Sequence, residues 1–295
     1  MNKSFFRMLM LGAAFAVGCL LPGLANQREF IRYLLMFMFF AVCLQLKPSL
    51  HSLHWTQGAS ILYCFALAFL LWFLLRKAGH PDLALAIFFT AITPTATAAP
   101  VIVNLLGGNV EYTTTAFFTS DFCIFLALPA VLPPVVGNST PGIALEMLRR
   151  ILLITLLPLV AAGVLRLFLR EKAIRLGKFL SPFTFYAWIL VIVLVAANAS
   201  DFFRQQVDNP SLTTLTIGFI ALLTLAICAL NFSIGRMLGT PDFPMECSQT
   251  LGQKNTSFTI YLALTYVHPI AALGPTCYVL WHNAWNAWQI YKHKS

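Results

Sequence analysis

The sequence predicts an all-α polytopic membrane protein with ten transmembrane helices, arranged as two inverted repeats of five helices. Three observations predict this fold class. Of the 295 residues, 59% are hydrophobic and only 10% are charged, and the mean hydropathy is +0.79. The apolar residues form ten stretches, each long enough to cross a bilayer. Two of these stretches, the fourth and the ninth, are interrupted by polar residues and predict broken helices.

The composition excludes several classes of protein. A soluble domain carries roughly 25% charged residues, because it must cover its core with a solvated shell. The few charges of this chain cannot coat a 32.7 kDa protein. A cytosolic enzyme, a nucleic-acid binder and a disordered protein are therefore excluded despite the net charge of +9, and the lipid bilayer is the expected partner of most of the surface. The seven cysteines are scattered through apolar segments, so we expect no metal centre and no cofactor.

The spans are delimited by charged and turn residues. A membrane helix needs about 20 mostly apolar residues. The first 26 residues also resemble a secretory signal, but many apolar segments follow, so they are interpreted as the first span. The predicted spans are roughly 5–24, 29–46, 58–76, 84–106, 111–136, 147–169, 181–199, 212–236, 244–267 and 269–291.

The two interruptions occupy matching places in the two halves of the chain. Residues 93–100 interrupt the fourth span and residues 248–257 interrupt the ninth. The halves, 1–140 and 141–295, contain five spans each, and an odd number of spans forces them into opposite membrane orientations. Unwound backbone at membrane depth is tolerated only where it is buried in protein or lines a wet cavity. The pattern therefore predicts a transport site at the breaks; two ordinary proline or glycine kinks are the alternative.

Lysine and arginine in the short loops predict the orientation. With the N-terminus inside, eleven of these residues face the cytoplasm and seven face the opposite side. We therefore expect both termini to be cytoplasmic, in a plasma membrane such as the bacterial inner membrane.

The residues at the breaks resemble the bile acid:sodium symporter family. The similarity is carried by Pro94-Thr95-Ala96-Thr97-Ala98-Ala99-Pro100-Val101, by Gly108-Asn109-Val110 and by Gly252-Gln253-Lys254-Asn255, within the plan of ten spans. The resemblance implies a panel domain (spans 1, 2, 6 and 7) and a core domain (spans 3–5 and 8–10), in which the broken helices cross. It implies a secondary active transporter of an organic anion that works by alternating access.

The sodium sites that the resemblance implies are poorly preserved. The positions of the first site hold Ala99, Pro100, Thr113, Phe117 and Thr250. Those of the second hold Tyr63 and Lys254. Most oxygen ligands are replaced and an ammonium group is gained, so transport without sodium or with proton coupling is expected, and the sequence leaves the coupling ion open.

Two charges lie deep inside predicted spans, and such charges are rare and usually functional. They are Asp121 and Lys254. The hypothesis is that Lys254 supplies a positive charge where relatives bind sodium and that Asp121 pairs with it or exchanges a proton with it. Thr113, Ser120 and Thr250 complete the predicted ion-coupling group. A static structural pair, or a lysine that only binds the anion, are the alternatives.

A small organic anion is the expected substrate, because helix N-termini at the breaks direct partial positive charge into the site. Thr97 and Asn255 align with ligand-contacting positions of the family and are the first candidates for substrate binding, followed by Thr95 and Gln253. Hydroxyls and amides that only satisfy freed backbone groups are the alternative. The sequence leaves the oligomeric state open, and a monomer is compatible with the plan.

Other functions fit the sequence less well than transport of an organic anion. An intramembrane transferase or protease needs paired carboxylates, a Ser-His pair or HExxH, and no span contains two carboxylates within four residues, so we expect no enzyme. A receptor gives no reason for two symmetric breaks. An auxin-carrier-like or other small-acid exporter shares the ten-span plan and stays an alternative. Arsenite export is disfavoured, because the fourth span has no cysteine.

Overall fold

The computed structural model describes residues 3–137, 142–205 and 214–294, and the regular structure in these ranges is helical apart from one isolated β-bridge. The α-helices are α1 (Lys3–Leu20), α2 (Arg28–Cys43), α3 (Trp55–Lys77), α4 (Pro81–Ala91), α5 (Ala98–Leu105), α6 (Val110–Val136), α7 (Ile143–Leu169), α8 (Glu171–Gln205), α9 (Thr214–Gly239), α10 (Pro244–Gly252), α11 (Thr256–Tyr266) and α12 (Pro269–Lys294).

The helices follow the predicted spans closely. Eight predicted spans each correspond to one helix, of which α8 is much longer than its predicted span at 181–199. The fourth span corresponds to α4 and α5, and the ninth to α10 and α11, so both predicted breaks are present. Pro81 and Pro244 begin α4 and α10, in the first turn where a missing N–H costs nothing.

Both breaks are shorter than the sequence predicted. The fourth span is interrupted only at residues 92–97, because α5 already begins at Ala98 and Pro100 lies in its first turn, where the backbone N–H has no helical acceptor. The ninth span is interrupted only at residues 253–255, because α10 continues to Gly252. Polar residues such as Ser248 are compatible with a helix; its Oγ donates to Phe232 O at 2.7 Å. Polarity alone therefore overestimated the breaks.

Five helices of the described residues are long and apolar enough to cross a membrane by length and composition alone. They are Trp55–Lys77, Val110–Val136, Ala144–Leu169, Glu171–Asp201 and Leu215–Gly239. These helices support an all-α polytopic membrane protein. The ten-span inverted repeat stays a prediction.

One compact unit comprises the described parts of Met1–Lys47 and Phe125–Val207. It contains α1, α2, the C-terminal part of α6, α7 and α8, and α8 packs against both α1 and α2. Arg166 of α7 donates from Nη1 to Leu46 O at 2.7 Å and to Cys43 O at 3.3 Å. Its positive charge thus lies at the C-terminal end of α2, where a cation is favourable.

The other compact unit comprises the described parts of Pro48–Ile124 and Asp208–Ser295. It contains α3, α4, α5, the N-terminal part of α6, and α9 to α12; its closest helix pairs include α9 with α10 and α4 with α12. Glycines allow the helices of these pairs to pack closely against each other. A Cβ at Gly274 would lie 2.1 Å from Ala86 O, and one at Gly235 would lie 2.5 Å from Cys247 O. Small residues let membrane helices pack closely, and here they bring both breaks into one unit.

Candidate functional site

The two breaks meet inside this second compact unit. Thr95 and Lys254 form an antiparallel bridge, flanked by hydrogen bonds from Ala96 N to Gln253 O at 2.8 Å and from Asn255 N to Pro94 O at 2.9 Å. Backbone groups that leave a helix at membrane depth need partners, because lipid supplies none. Each break therefore satisfies the other. We call this arrangement the crossing, defined by residues 93–97 and 253–255.

Hydroxyl groups of the first break, α6 and α11 add side-chain hydrogen bonds at the crossing. Thr95 Oγ1 donates to Thr250 O at 2.8 Å, and Ser120 Oγ accepts from Thr95 N at 3.3 Å. Thr93 Oγ1 contacts Thr259 Oγ1 at 3.0 Å across the same point. Three predicted site residues, Thr95, Ser120 and Thr250, are thus brought together, and each has a direct part in holding the unwound backbone.

Lys254 is buried at the crossing, with 2% of its surface exposed. Its Nζ donates to Cys64 Sγ of α3 at 3.0 Å. A sulfur atom is a weak acceptor, and the ammonium group has no carboxylate within ion-pair distance among the described residues. A buried charge without a carboxylate partner is a costly feature.

The structure contains no ion pair between Lys254 and Asp121, which was one of the two arrangements considered for these charges. Asp121 is also buried, with 2% exposed, but neither carboxylate oxygen has a hydrogen-bond partner in the described part of the chain. Consecutive residues of an α-helix point about 100° apart. Because Ser120 faces the crossing, its neighbour Asp121 points about 100° away from it around α6.

A small pocket, with a cavity volume of about 10 Å³, adjoins the crossing. It lies between α3, the first break, α6 and α10. Its lining combines hydroxyl, amide and thiol groups with three apolar side chains: Gln57, Ser60, Ile61, Cys64, Thr95, Ala116, Ser120, Thr250 and Leu251. No carboxylate is among these lining residues.

The remaining predicted site residues differ in their surroundings. Thr97 and Asn255 are partly exposed, precede α5 and α11, and make no side-chain cap hydrogen bond. Thr113 is fully buried, and its Oγ1 donates to Asn109 O, just before the start of α6, at 2.8 Å. Gln253 is 1% exposed, and its Nε2 donates to Gln249 Oε1 and to an amide of α12. Thr97 and Asn255 are therefore the members best placed to meet a solute.

The Gln253 contact belongs to a chain of amide side chains that links α10 and the second break to α12. Gln253 donates to Asn286 Oδ1, and Gln249 donates to Gln289 Oε1. Tyr278 OH of the same helix donates to Gly252 O at 2.8 Å. These bonds join the end of α10 to α12, and they hold the start of the second break in place against α12.

A second polar cluster lies at the starts of α3, α6 and α10. Glu246 Oε1 accepts from Asn109 N at 2.6 Å, which joins α10 to the turn before α6. Tyr112 OH lies 2.5 Å from Thr56 Oγ1 and 2.9 Å from Cys247 Sγ. The starts of α3, α6 and α10 are thus held together by hydrogen bonds.

Sequence reasoning missed the contribution of α3. Gln57, Ser60 and Cys64 are the polar and thiol groups that α3 contributes to the pocket lining, and they lie at helical spacing of three and four residues. Such spacing places them on one face of the helix. This polar stripe in an otherwise apolar span was the signal that could have identified the pocket.

Comparison with known proteins adds one finding. A profile of the Sodium Bile acid symporter family matches residues 32–206. A comparison with curated proteins finds no match.

Proposed function

The chain belongs to the sodium bile acid symporter family, and from this premise we propose that it is a secondary active transporter that moves an organic anion by alternating access. The observation that carries the proposal is the crossing of two broken helices. Interrupted helices that pair at membrane depth are typical of transport sites in inverted-repeat transporters. The family consists of transporters, which favours a function other than catalysis.

An anionic substrate is supported by the charges around the crossing. The N-termini of α5 and α11 begin there, at Ala98 and Thr256, and carry partial positive charge. Lys254 adds a positive charge, and the partly exposed Thr97 and Asn255 offer hydrogen-bonding groups next to both helix starts. We propose that these two side chains orient a carboxylate or sulfonate group.

The coupling mechanism is proposed to differ from sodium symport. Lys254 stands at the crossing, at a position of the second sodium site that the family resemblance implies, so its ammonium group takes the place of a bound cation. Asp121 is buried without a partner in the described residues, and burying an ionised carboxylate in this way costs far more than burying a neutral acid. A proton is therefore the ion that we propose Asp121 exchanges during transport.

The alternating-access motion is proposed to involve the two compact units. One unit contains α1, α2, α7 and α8, the helices expected for the panel domain, together with the end of α6. The unit with the crossing contains the helices expected for the core domain. We place the protein in a plasma membrane with both termini in the cytoplasm, in keeping with the excess of Lys and Arg on that side.

A ligand screen tests the proposal. Purified full-length protein is heated with taurocholate, pantoate or small 2-keto acids, each in sodium chloride and in potassium chloride. We expect at least one of these anions to raise Tm equally in both salts, since ligand binding stabilises the folded state. Stabilisation by sodium alone would overturn the sodium-independent mechanism, and stabilisation by none of the anions would overturn the substrate class.

A further inference from the structure

Three of the four hydroxyl groups that line the pocket beside the crossing have already donated their hydrogens. Ser60 Oγ donates to Thr56 O at 2.8 Å, and Thr95 Oγ1 donates to Thr250 O at 2.8 Å. Thr250 Oγ1 donates to Cys247 O at 3.2 Å. A hydroxyl has one hydrogen and two lone pairs, so these three oxygens can only accept further hydrogen bonds.

Gln57 adds a fourth acceptor to the lining. It is 3% exposed, and its Nε2 donates to Ser52 O at 2.8 Å, which determines the orientation of the amide. Its Oε1 is buried and has no hydrogen-bond partner in the described structure. A buried acceptor without a donor is destabilising, so this oxygen favours a ligand that supplies N–H groups or a positive charge.

The nearest such group belongs to Lys254. Its backbone pairs with Thr95 and its Nζ contacts Cys64, and both of these residues line the pocket. Lys254 is not itself among the lining residues, but it contacts two of them, with its backbone at Thr95 and its ammonium group at Cys64. Lysine carries three N–H donors on a flexible four-carbon stem, whereas the thiol that now holds it is a weak acceptor.

We propose that this pocket is a binding site for an ammonium group, and that its resident ligand is the chain's own Lys254. The Nζ moves between Cys64 and the oxygens of Gln57, Ser60, Thr95 and Thr250. This inference rests on the proposed function, in which Lys254 replaces a coupling cation. The inference adds that residues of α3 bind the ammonium group of Lys254. It also adds that an external ammonium ion cannot bind in the pocket while Lys254 is present.

Chemical rescue tests the site. Lys254→Ala and Lys254→Gln are purified at full length, and Tm is measured with methylammonium chloride, potassium chloride or tetramethylammonium chloride at equal ionic strength. We expect methylammonium to raise Tm of both variants by several degrees and to leave wild type unchanged. Tetramethylammonium has the same charge but no N–H group, and we expect no effect. Lys77→Ala, at the exposed end of α3, is the matched control and should behave as wild type.

A second substitution tests whether methylammonium binds in this pocket. Adding Gln57→Leu to Lys254→Ala should abolish the methylammonium response. The proposal is overturned if neither Lys254 variant responds, if wild type responds equally, or if the response survives Gln57→Leu. These measurements use a cation without any transported solute, so they can fail while anion transport stands, and anion transport can fail while they succeed.

A double-mutant cycle covers the case in which neither Lys254 variant folds. Cys64→Ala and Gln57→Leu are combined in a chain that keeps Lys254. We expect the double variant to lose more Tm than the sum of the single losses, because Nζ then loses its partners in both positions. Additive losses would overturn the proposal.

Discussion

Replacing Thr95 by valine tests the crossing itself. The substitution keeps the branched shape of the side chain and removes Oγ1, which donates to Thr250 O at 2.8 Å. Residue 254, whose N–H would continue the helical bonding from Thr250 O, lies beyond the end of α10. The carbonyl is therefore left without its donor in a region where both residues are about 5% exposed or less.

The expected loss follows from that geometry. Leaving a buried acceptor unsatisfied costs about 1–3 kcal/mol. At a conversion of about 2 °C for each kcal/mol in a chain of this size, Tm falls by about 2–6 °C. Thermal unfolding of the purified protein, followed by tryptophan fluorescence, measures the shift. Any uptake activity should fall as well, because the same bond holds the backbone between two helix N-termini.

Thr155→Val is the matched control. Thr155 is 9% exposed, and its Oγ1 donates to Ile151 O at 2.8 Å within α7. That carbonyl keeps its helical N–H partner, so we expect a change of less than about 1 kcal/mol. If Thr95→Val and Thr155→Val shift Tm equally, the crossing is not stabilised as described.

Three further predictions concern single positions. Asp121→Asn should leave Tm nearly unchanged, because neither carboxylate oxygen has a partner in the described residues, while uptake should lose its dependence on a pH gradient; a large fall in Tm would contradict the first part. Burial lowers the pKa of His268 below its ordinary 6.5, and Asp82 at 3.3 Å opposes this only in part. The unfolded chain therefore takes up the proton first as pH falls below about 6.5, so wild type should lose more Tm than His268→Asn between pH 7.5 and pH 5.5, and an equal loss would refute the assignment. Gly274→Ala should cost about 1–3 kcal/mol, because its Cβ would lie 2.1 Å from a backbone oxygen of α4. Gly163→Ala in α7 meets nothing within 4 Å and should be neutral or slightly stabilising; equal Tm values for the two variants would contradict the packing.

The broken helices could be predicted from the sequence because their signal is local. Each break is a run of polar residues and prolines or glycines inside an apolar stretch, and the two runs occupy matching places in the halves. The exact ends of the broken helices could not be predicted in the same way. Ser248 and Gln249 belong to α10, because their polar groups find partners on neighbouring helices that a single sequence does not reveal.

The partner of Lys254 could not be predicted for a related reason. Lys254 and Asp121 were paired because they are the two charges in the spans, but helix rotation decides which side chains meet. Ser120 faces the crossing and Asp121 does not, whereas Cys64, 190 residues away in sequence, does. The polar stripe of α3 was visible at helical spacing, yet no charge drew attention to it.

Uptake into proteoliposomes tests the central claim most directly. Wild-type protein and Lys254→Gln are reconstituted in parallel, and the anion that stabilises the protein in the ligand screen is supplied in sodium or in potassium buffer. The account predicts equal accumulation by wild type in both buffers and a loss of that accumulation in Lys254→Gln. Accumulation by wild type only under an inward sodium gradient, or equal accumulation by both proteins, would contradict it.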